Sequence, residues 1–278
     1  VSLTLFAENL LEPSPSGAFG GSTVTASVGD LYPLARLYDR EHGPQYVPGF
    51  PQAWAPFYDI IPLPIALDGV ALAQLDIDID VGSNKSVSAW ALVNHNITGV
   101  TVTLFGDTTF PPTTSRDSLN PLATTFLRTF TPVSLRYWRL RIPAMGFAPP
   151  QIGECMLGVP HTITQNPILE SAAPAIVGNV ARDRTPAGYP RKAKRGASRV
   201  RLAYRWNYIV AGTDHAALAA VYALIDEGAK NLLVKDEDGV VRWMEVTDAE
   251  VSPVPVVNNP VVGSEVLSSR LTLEEIPL

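Results

Sequence analysis

Three aspartates stand at alternate positions in LDIDIDV (75–81): Asp76, Asp78 and Asp80. Carboxylates in such a row suggest either a cation site or an acid–base pair. On a strand, residues two apart share one face at intervals of roughly 7 Å, too far for neighbouring carboxylates to grip one ion unaided. We therefore read them as a solvated outer strand face. The matching cations stand in RYWRLRI (136–142), where Trp138, Leu140 and Ile142 alternate with Tyr137, Arg139 and Arg141. That period places the first set in a core and the second outside it. Arg139 and Arg141 become partners of Asp76, Asp78 and Asp80 if the two strands lie side by side.

The other chemically active side chains are scattered. His42, His95, His161 and His215 lack ligand spacing, and the single cysteine, Cys155, sits in the apolar run GECMLG. We read Cys155 as a buried thiol, and expect no metal site, no disulfide and no cofactor. AFGGS (18–22) has neither the lysine nor the following helix of a phosphate loop, so it reads as a turn. No nucleophile–base motif is present, and we expect no catalytic residues and no enzyme. Asn84-Lys85-Ser86 and Asn96-Ile97-Thr98 fit the glycosylation sequon.

These residues must be positioned mainly by strands. Proline at 25 and glycine at 20 of 278 residues favour many turns and short strands. From residue 1 to about 165 we read strands at LDIDIDV, VSAWALVNHN, TGVTVTLFGD, TFLRTFTP, RYWRLRIP and IGECMLG, with a turn at Asn96–Gly99 and no helix. That grammar indicates a sandwich or barrel. Residues 166–197 carry Pro167, Pro174, Pro186 and Pro190 and read as a linker or extended arm. From 198 to 278 the pattern is strand, helix, hairpin, strand. SRVRLAYRWNYIV alternates, and Leu218, Val221, Tyr222 and Ile225 repeat at helical spacing. Thr213 or Asp214 is the expected N-cap and Gly228 the C-terminal stop. Asp238-Gly239 predicts a hairpin turn.

The net charge of −6 conceals three blocks. Residues 182–205 carry nine basic groups and one acidic, whereas 206–278 carry four and twelve. We read the basic arm, with Arg182, Arg184, Arg191, Lys192, Lys194 and Arg195, as docking on acidic surfaces of neighbouring copies. It matches no nucleic-acid recognition module, so no nucleic acid is expected. No apolar run approaches the roughly 20 residues of a membrane helix, and VSLTLFAENL lacks the basic and apolar regions of a signal peptide. We expect a soluble chain with no membrane insertion.

In order, LARLYDREHGPQYVPG (34–49), LDIDIDVG (75–82), VSAWALVNHNITGVTVTLFGD (87–107), RYWRLRI (136–142) and IGECMLG (152–158) resemble the galactose-binding-like, discoidin-type jelly roll. The NHN turn with RYWRLRI and IGE is similar to the version found in tail-tip and baseplate proteins of tailed bacteriophages. The strand–helix–hairpin order and closing LTLEE are similar to the tail-tube-like β domains of distal tail and hub proteins, although there the tube-like domain comes first. The resemblance implies a mainly β protein: an N-terminal jelly-roll sandwich (1–165), a basic arm (166–197), and a smaller β barrel or sandwich with one α-helix (198–278).

It further implies a structural virion protein. Such a chain would be made in the host cytoplasm and placed at the phage tail end. There it forms a homo-oligomeric ring, trimer or hexamer, with other tail proteins as partners. The alternative is a carbohydrate-binding module contacting host glycans. YVPGFPQAWAPFYD (46–59) then supplies an aromatic platform of Tyr46, Phe50, Trp54, Phe57 and Tyr58 in a proline-stiffened loop.

Overall fold

The computed structural model describes residues 3–11, 23–26, 29–30, 56–57, 74–145, 150, 152–167, 175–177, 180–184, 190–194, 198–225, 230–236, 238–250, 255–259 and 264–276. Among them the chain is mainly β. The first strands are β1 (Leu3–Phe6), β2 (Thr23–Ala26), β3 (Gly29–Asp30), β4 (Pro56–Phe57) and β5 (Leu75–His95). Then come β6 (Val102–Asp107), β7 (Ser115–Leu119), β8 (Phe126–Ile142), β9 (Ile152–Gly158) and β10 (His161–Ile163). The remainder comprises β11 (Ala175–Val177), β12 (Val180–Arg184), β13 (Pro190–Lys194), β14 (Arg199–Val210), a π-helical turn (Ala211–His215) and α1 (Ala216–Leu224). The chain closes with β15 (Leu232–Lys235), β16 (Val241–Glu250), β17 (Pro255–Asn259) and β18 (Ser264–Glu275).

The chain divides into two compact units, Glu8–Pro160 and the combination of Val1–Ala7 with His161–Leu278. In the first, an antiparallel sheet runs β2-β5-β8-β6-β7, with β9 also paired to β5. The sequence reading split LDIDIDV from VSAWALVNHN and TFLRTFTP from RYWRLRIP. Each pair is one continuous strand, β5 and β8, running antiparallel to the other. An irregularity between Asp80 and Lys85 interrupts the register without ending the strand. Gly82 takes φ 78° there and donates its N–H to Asp80 Oδ1 at 2.8 Å. Only glycine adopts that backbone without strain. β8 lines one edge of β5 along both halves, and the other edge is shared by β2 on the first half and β9 on the second.

One core cluster collects Leu75, Ile77, Ile79 and Val81 from the first half of β5 and Val87, Trp90 and Leu92 from the second. Trp138, Leu140 and Ile142 join it fully buried, as their alternation predicts. Burying each such side chain contributes about 2–3 kcal/mol. Gly106 of β6 lies opposite Trp138 of β8, and an added Cβ would stand 2.8 Å from the indole.

The N-terminal segment is stitched to β9 by polar groups. Asn9 donates to Glu154 Oε1 at 3.2 Å and to the Cys155 carbonyl at 3.0 Å, while its Oδ1 accepts from Leu11 N. Val159 N donates to Glu8 Oε2 at 2.6 Å.

In the second unit the sheet runs β10-β1-β15-β16-β18-β14-β11, with β17 paired to β18. Neither large sheet closes into a barrel among the described residues. Two segments depart from the expected boundaries. Leu3–Phe6 and His161–Ile163, read as part of the jelly roll, pair with each other in this second sheet. β1 is then held by β15, and Leu3, Leu5 and Ile163 bury in its core. Part of the 166–197 linker is also ordered: β11 pairs with β14, and β12 with β13. Period-two alternation says that a segment is a strand; it does not say which sheet takes it.

The helix buries Leu218, Val221 and Ile225 against Trp206, Leu232 and Met244. Its start departs from the expectation. A π turn precedes it, the N-cap is His215 without a side-chain cap, and Asp214 serves another segment. Asp214 accepts from Thr164 N, Thr164 Oγ1 and Gln165 N, the last at 2.7 Å. The Asp238-Gly239 turn joins β15 to β16 as expected, with Gly239 at φ 78° and Asp236 Oδ1 accepting from Val240 N at 2.9 Å.

Candidate functional site

Register brings the two charged rows together. Along β5 and β8, Asp76 lies opposite Arg141, Asp78 opposite Arg139 and Asp80 opposite Tyr137. Each carboxylate is gripped by both prongs of a guanidinium. Arg141 Nε and Nη2 reach Asp76 at 2.8 and 2.8 Å, and Arg139 Nε and Nη2 reach Asp78 at 2.5 and 2.9 Å. Arg136 completes the row with 2.7 and 2.8 Å to Asp80, and Arg139 Nη1 leans to Asp76 at 3.5 Å. Fork-to-fork pairs of this kind fix both groups in orientation as well as position.

The electrostatics follow from the pairing. Partial burial alone would raise the Asp76 carboxyl, but the hydrogen bond and charge of Arg141 and the charge of Arg139 hold it below the usual carboxylate range. The Arg136 hydrogen bond does the same for Asp80. The Asp78 hydrogen bond pushes Arg139 up, and the Asp76 hydrogen bond pushes Arg141 up. Asp76, Asp80, Arg139 and Arg141 are therefore held in their ionised forms.

Aromatic rings lie over this row. The Arg136 guanidinium carbon stands 4.8 Å from the Tyr137 ring centre, that of Arg141 5.0 Å from Phe105, and that of Arg139 6.0 Å from Phe110. Phe110 sits edge-on to Tyr137 with centroids 5.8 Å apart, and 59% of its surface remains exposed. It stands in the connection between β6 and β7, which Asp107 ties down. Asp107 Oδ2 accepts from Thr113 N at 2.6 Å and from Thr114 N at 2.9 Å, and Gly106 N donates to the Thr114 carbonyl. The exposed ring is thus mounted on a tethered loop beside oriented donors and acceptors.

Sequence reading found the ionic partners but not this composite. Asp76, Asp78, Asp80, Arg139 and Arg141 meet as expected, whereas Arg136, Phe105 and Phe110 were not singled out. The usable signal was an isolated aromatic in the polar stretch DTTFPPTT, a poor place for a core residue. Of the expected platform, Tyr46, Phe50, Trp54 and Tyr58 lie outside the described residues. Phe57 belongs to β4 and pairs with Gly29. Of the basic arm, Arg182 and Arg184 lie on β12 and Arg191, Lys192 and Lys194 on β13, while Arg195 is outside the described residues.

Other reactive groups are buried away from this face. Cys155 is a free, buried thiol whose pKa burial pushes up, as befits an inert side chain. His95 is 2% exposed, and burial brings its pKa down to about 4. Its Nδ1 accepts from Ile97 N at 3.1 Å, so the neutral ring carries its proton on Nε2, which has no partner. Asp117 takes hydrogen bonds from Trp90 Nε1 at 2.8 Å and from Arg128, a structural tie between β7, β5 and β8. Among the described residues no group of three His, Cys, Asp or Glu side chains is placed to hold a metal ion. Nor is any helix there long and apolar enough to cross a membrane.

No family model matches the chain, and no curated protein does. Several solved structures are similar to part of it. A GH29 fucosidase of Ruminococcus gnavus in complex with fucose matches 55% of this chain at 13% identity and TM-score 0.41, and the chain spans 27% of that enzyme's length. Chitosan-binding module 1 of a Paenibacillus sp. IK-5 chitosanase/glucanase matches 55% of this chain and 99% of its own, at 14% identity and TM-score 0.35. A mutant lectin-binding domain of Lectinolysin complexed with Lewis b matches 54% of this chain and 94% of its own, at 13% identity and TM-score 0.38.

Proposed function

We propose that the chain is a non-catalytic binding protein whose unit Glu8–Pro160 holds carbohydrate on the outer face of the β5–β8–β6 sheet. The observation that carries this reading is the exposed Phe110, braced by Tyr137 beside the oriented Arg136–Asp80 pair. A sugar ring has one face of C–H bonds and a rim of hydroxyls. The electron-rich face of an aromatic ring attracts the first. Fixed carboxylate and guanidinium edges give and accept hydrogen bonds with the second. A glycan panel applied to the full chain tests this. Phe110→Ala should weaken every positive ligand at least about tenfold, some 1.4 kcal/mol, without lowering the melting temperature. Loss on Trp54→Ala with Phe110→Ala unaffected would move the site to the 46–58 loop. A panel with no positive sugar would overturn the reading.

A second reading, a structural subunit of a phage tail-tip ring, is favoured by the β12–β13 hairpin. It pairs with neither large sheet among the described residues. Its register sets Arg182 opposite Lys192, Arg184 opposite Pro190 and Val180 opposite Lys194. Like charges directly opposite weaken a strand pair, and a lone hairpin is marginal in water. An acidic surface on a neighbouring copy would relieve both costs. In this reading the chain sits at the virion tail end and contacts other tail proteins.

A further inference from the structure

Resting on the carbohydrate reading, we infer that the Phe110–Tyr137 face is selective for uncharged saccharides, with the Arg136–Asp80 pair as the element that reads hydroxyls. Three arginines of β8 face three aspartates of β5 in three cross-strand pairs, so the formal charges of the cluster cancel. Each guanidinium commits Nε and Nη2 to a carboxylate. A carboxylate oxygen has about two lone-pair sites. On Asp80, Oδ1 is filled by Arg136 Nε and Gly82 N while Oδ2 takes Arg136 Nη2 alone, so Oδ2 keeps acceptor capacity and Arg136 keeps Nη1 as a donor. A hydroxyl, which both donates and accepts, complements such a pair; an anion does not.

Accessibility selects the same end of the row. The Arg136 and Asp80 side chains are 41% and 29% exposed, whereas Arg139 and Asp76 are 16% and 15%. The exposed pair adjoins Tyr137, which braces Phe110. A ring lying on Phe110 thus has Tyr137 beside it and, next to Tyr137, the most exposed of the three ion pairs. A uronate or sulfate finds no free guanidinium fork among the three arginines, only a single Nη1 donor on Arg136 beside the Asp80 carboxylate that repels it. To be gripped by both prongs it would have to displace Asp80 from Arg136 and leave that carboxylate without its counter-charge.

Calorimetry with the full chain tests the inference, using galactose, glucose and N-acetylglucosamine against galacturonic and glucuronic acids. We expect the neutral sugars to bind at least about tenfold more tightly than their uronic counterparts. Their affinity should change less than about twofold between about 50 and about 500 mM salt, since no net charge is matched. Asp80→Asn releases Arg136 and should bring the uronic acids up to or past the neutral sugars. Equal or tighter uronate binding by the natural chain, or a severalfold loss of neutral-sugar affinity with salt, would overturn the selectivity while leaving carbohydrate binding intact. Failure of every sugar to bind would overturn both.

Discussion

His95 shows what one buried side chain does to pH dependence. Folding holds its pKa near 4 against an ordinary 6.5, because burial penalises the imidazolium. Between those values the unfolded chain takes up a proton that the folded chain refuses. Stability is therefore full above about 6.5 and is lost as pH falls toward 4, by up to about 3 kcal/mol at about 1.4 per unit. Burial lowers His161 and His215 as well, adding in the same direction. Asp76 and Asp80, held low, add losses only at more acid pH. Glu8, raised chiefly by burial, acts with the opposite sign: its contribution is present in acid and lost as pH rises. Urea midpoints at pH 7 and pH 4.5 should differ less in His95→Gln than in the natural chain. Equal differences would show that His95 is not the group responsible.

At the scale of elements, β6 lies closely on β8 in the sandwich core. Gly106 leaves 2.8 Å between a would-be Cβ and Trp138, and 3.0 Å to Leu135 Cδ1. The indole is fully buried and cannot withdraw. Gly106→Ala should therefore cost about 1–3 kcal/mol through overpacking, read as a lower urea midpoint with unchanged slope. A neutral result would mean that β6 shifts freely over β8. Strands β5 and β8 display what alternation does and does not reveal. Trp138, Leu140 and Ile142 announce the inward face, and Asp76, Asp78 and Asp80 the outward one. That β5 runs unbroken through Gly82 was not legible, because a Gly-Ser-Asn stretch has the composition of a turn whether it ends a strand or bulges within one. The Asp214 expectation missed for a related reason: a good N-cap residue next to a helix was taken by Thr164 and Gln165, some fifty positions away.

For the whole molecule, the question is whether copies associate through the basic hairpin. Replacing Arg182, Arg184, Lys192 and Lys194 by glutamate reverses the charge of the β12–β13 pair. Under the ring reading, light scattering should give a trimer or hexamer for the natural chain, reduced by salt, and a folded monomer for the variant. A natural chain that stays monomeric at every concentration and salt level would remove the support that the hairpin gives to assembly. The charge contrast itself was visible at once, since nine basic groups against one acidic in 182–205 needs no structure to see.

Local pattern alone determined that this is a mainly β protein with a helix within 198–278, which residues of RYWRLRI face inward, that Asp238-Gly239 turns a hairpin, and where the charge lies. Each follows from periods of two or 3.6 residues and from backbone preferences that act over a few positions. Tertiary structure decided which strands meet. It set Arg136, Arg139 and Arg141 on aspartates 56 to 65 positions earlier. It took Leu3–Phe6 into the second sheet, and it laid Phe110 against Tyr137. A strand's period names its buried face, but its neighbour is chosen by register and shape between segments remote in sequence. The face formed by Phe110, Tyr137 and the arginine–aspartate pairs exists only through such choices.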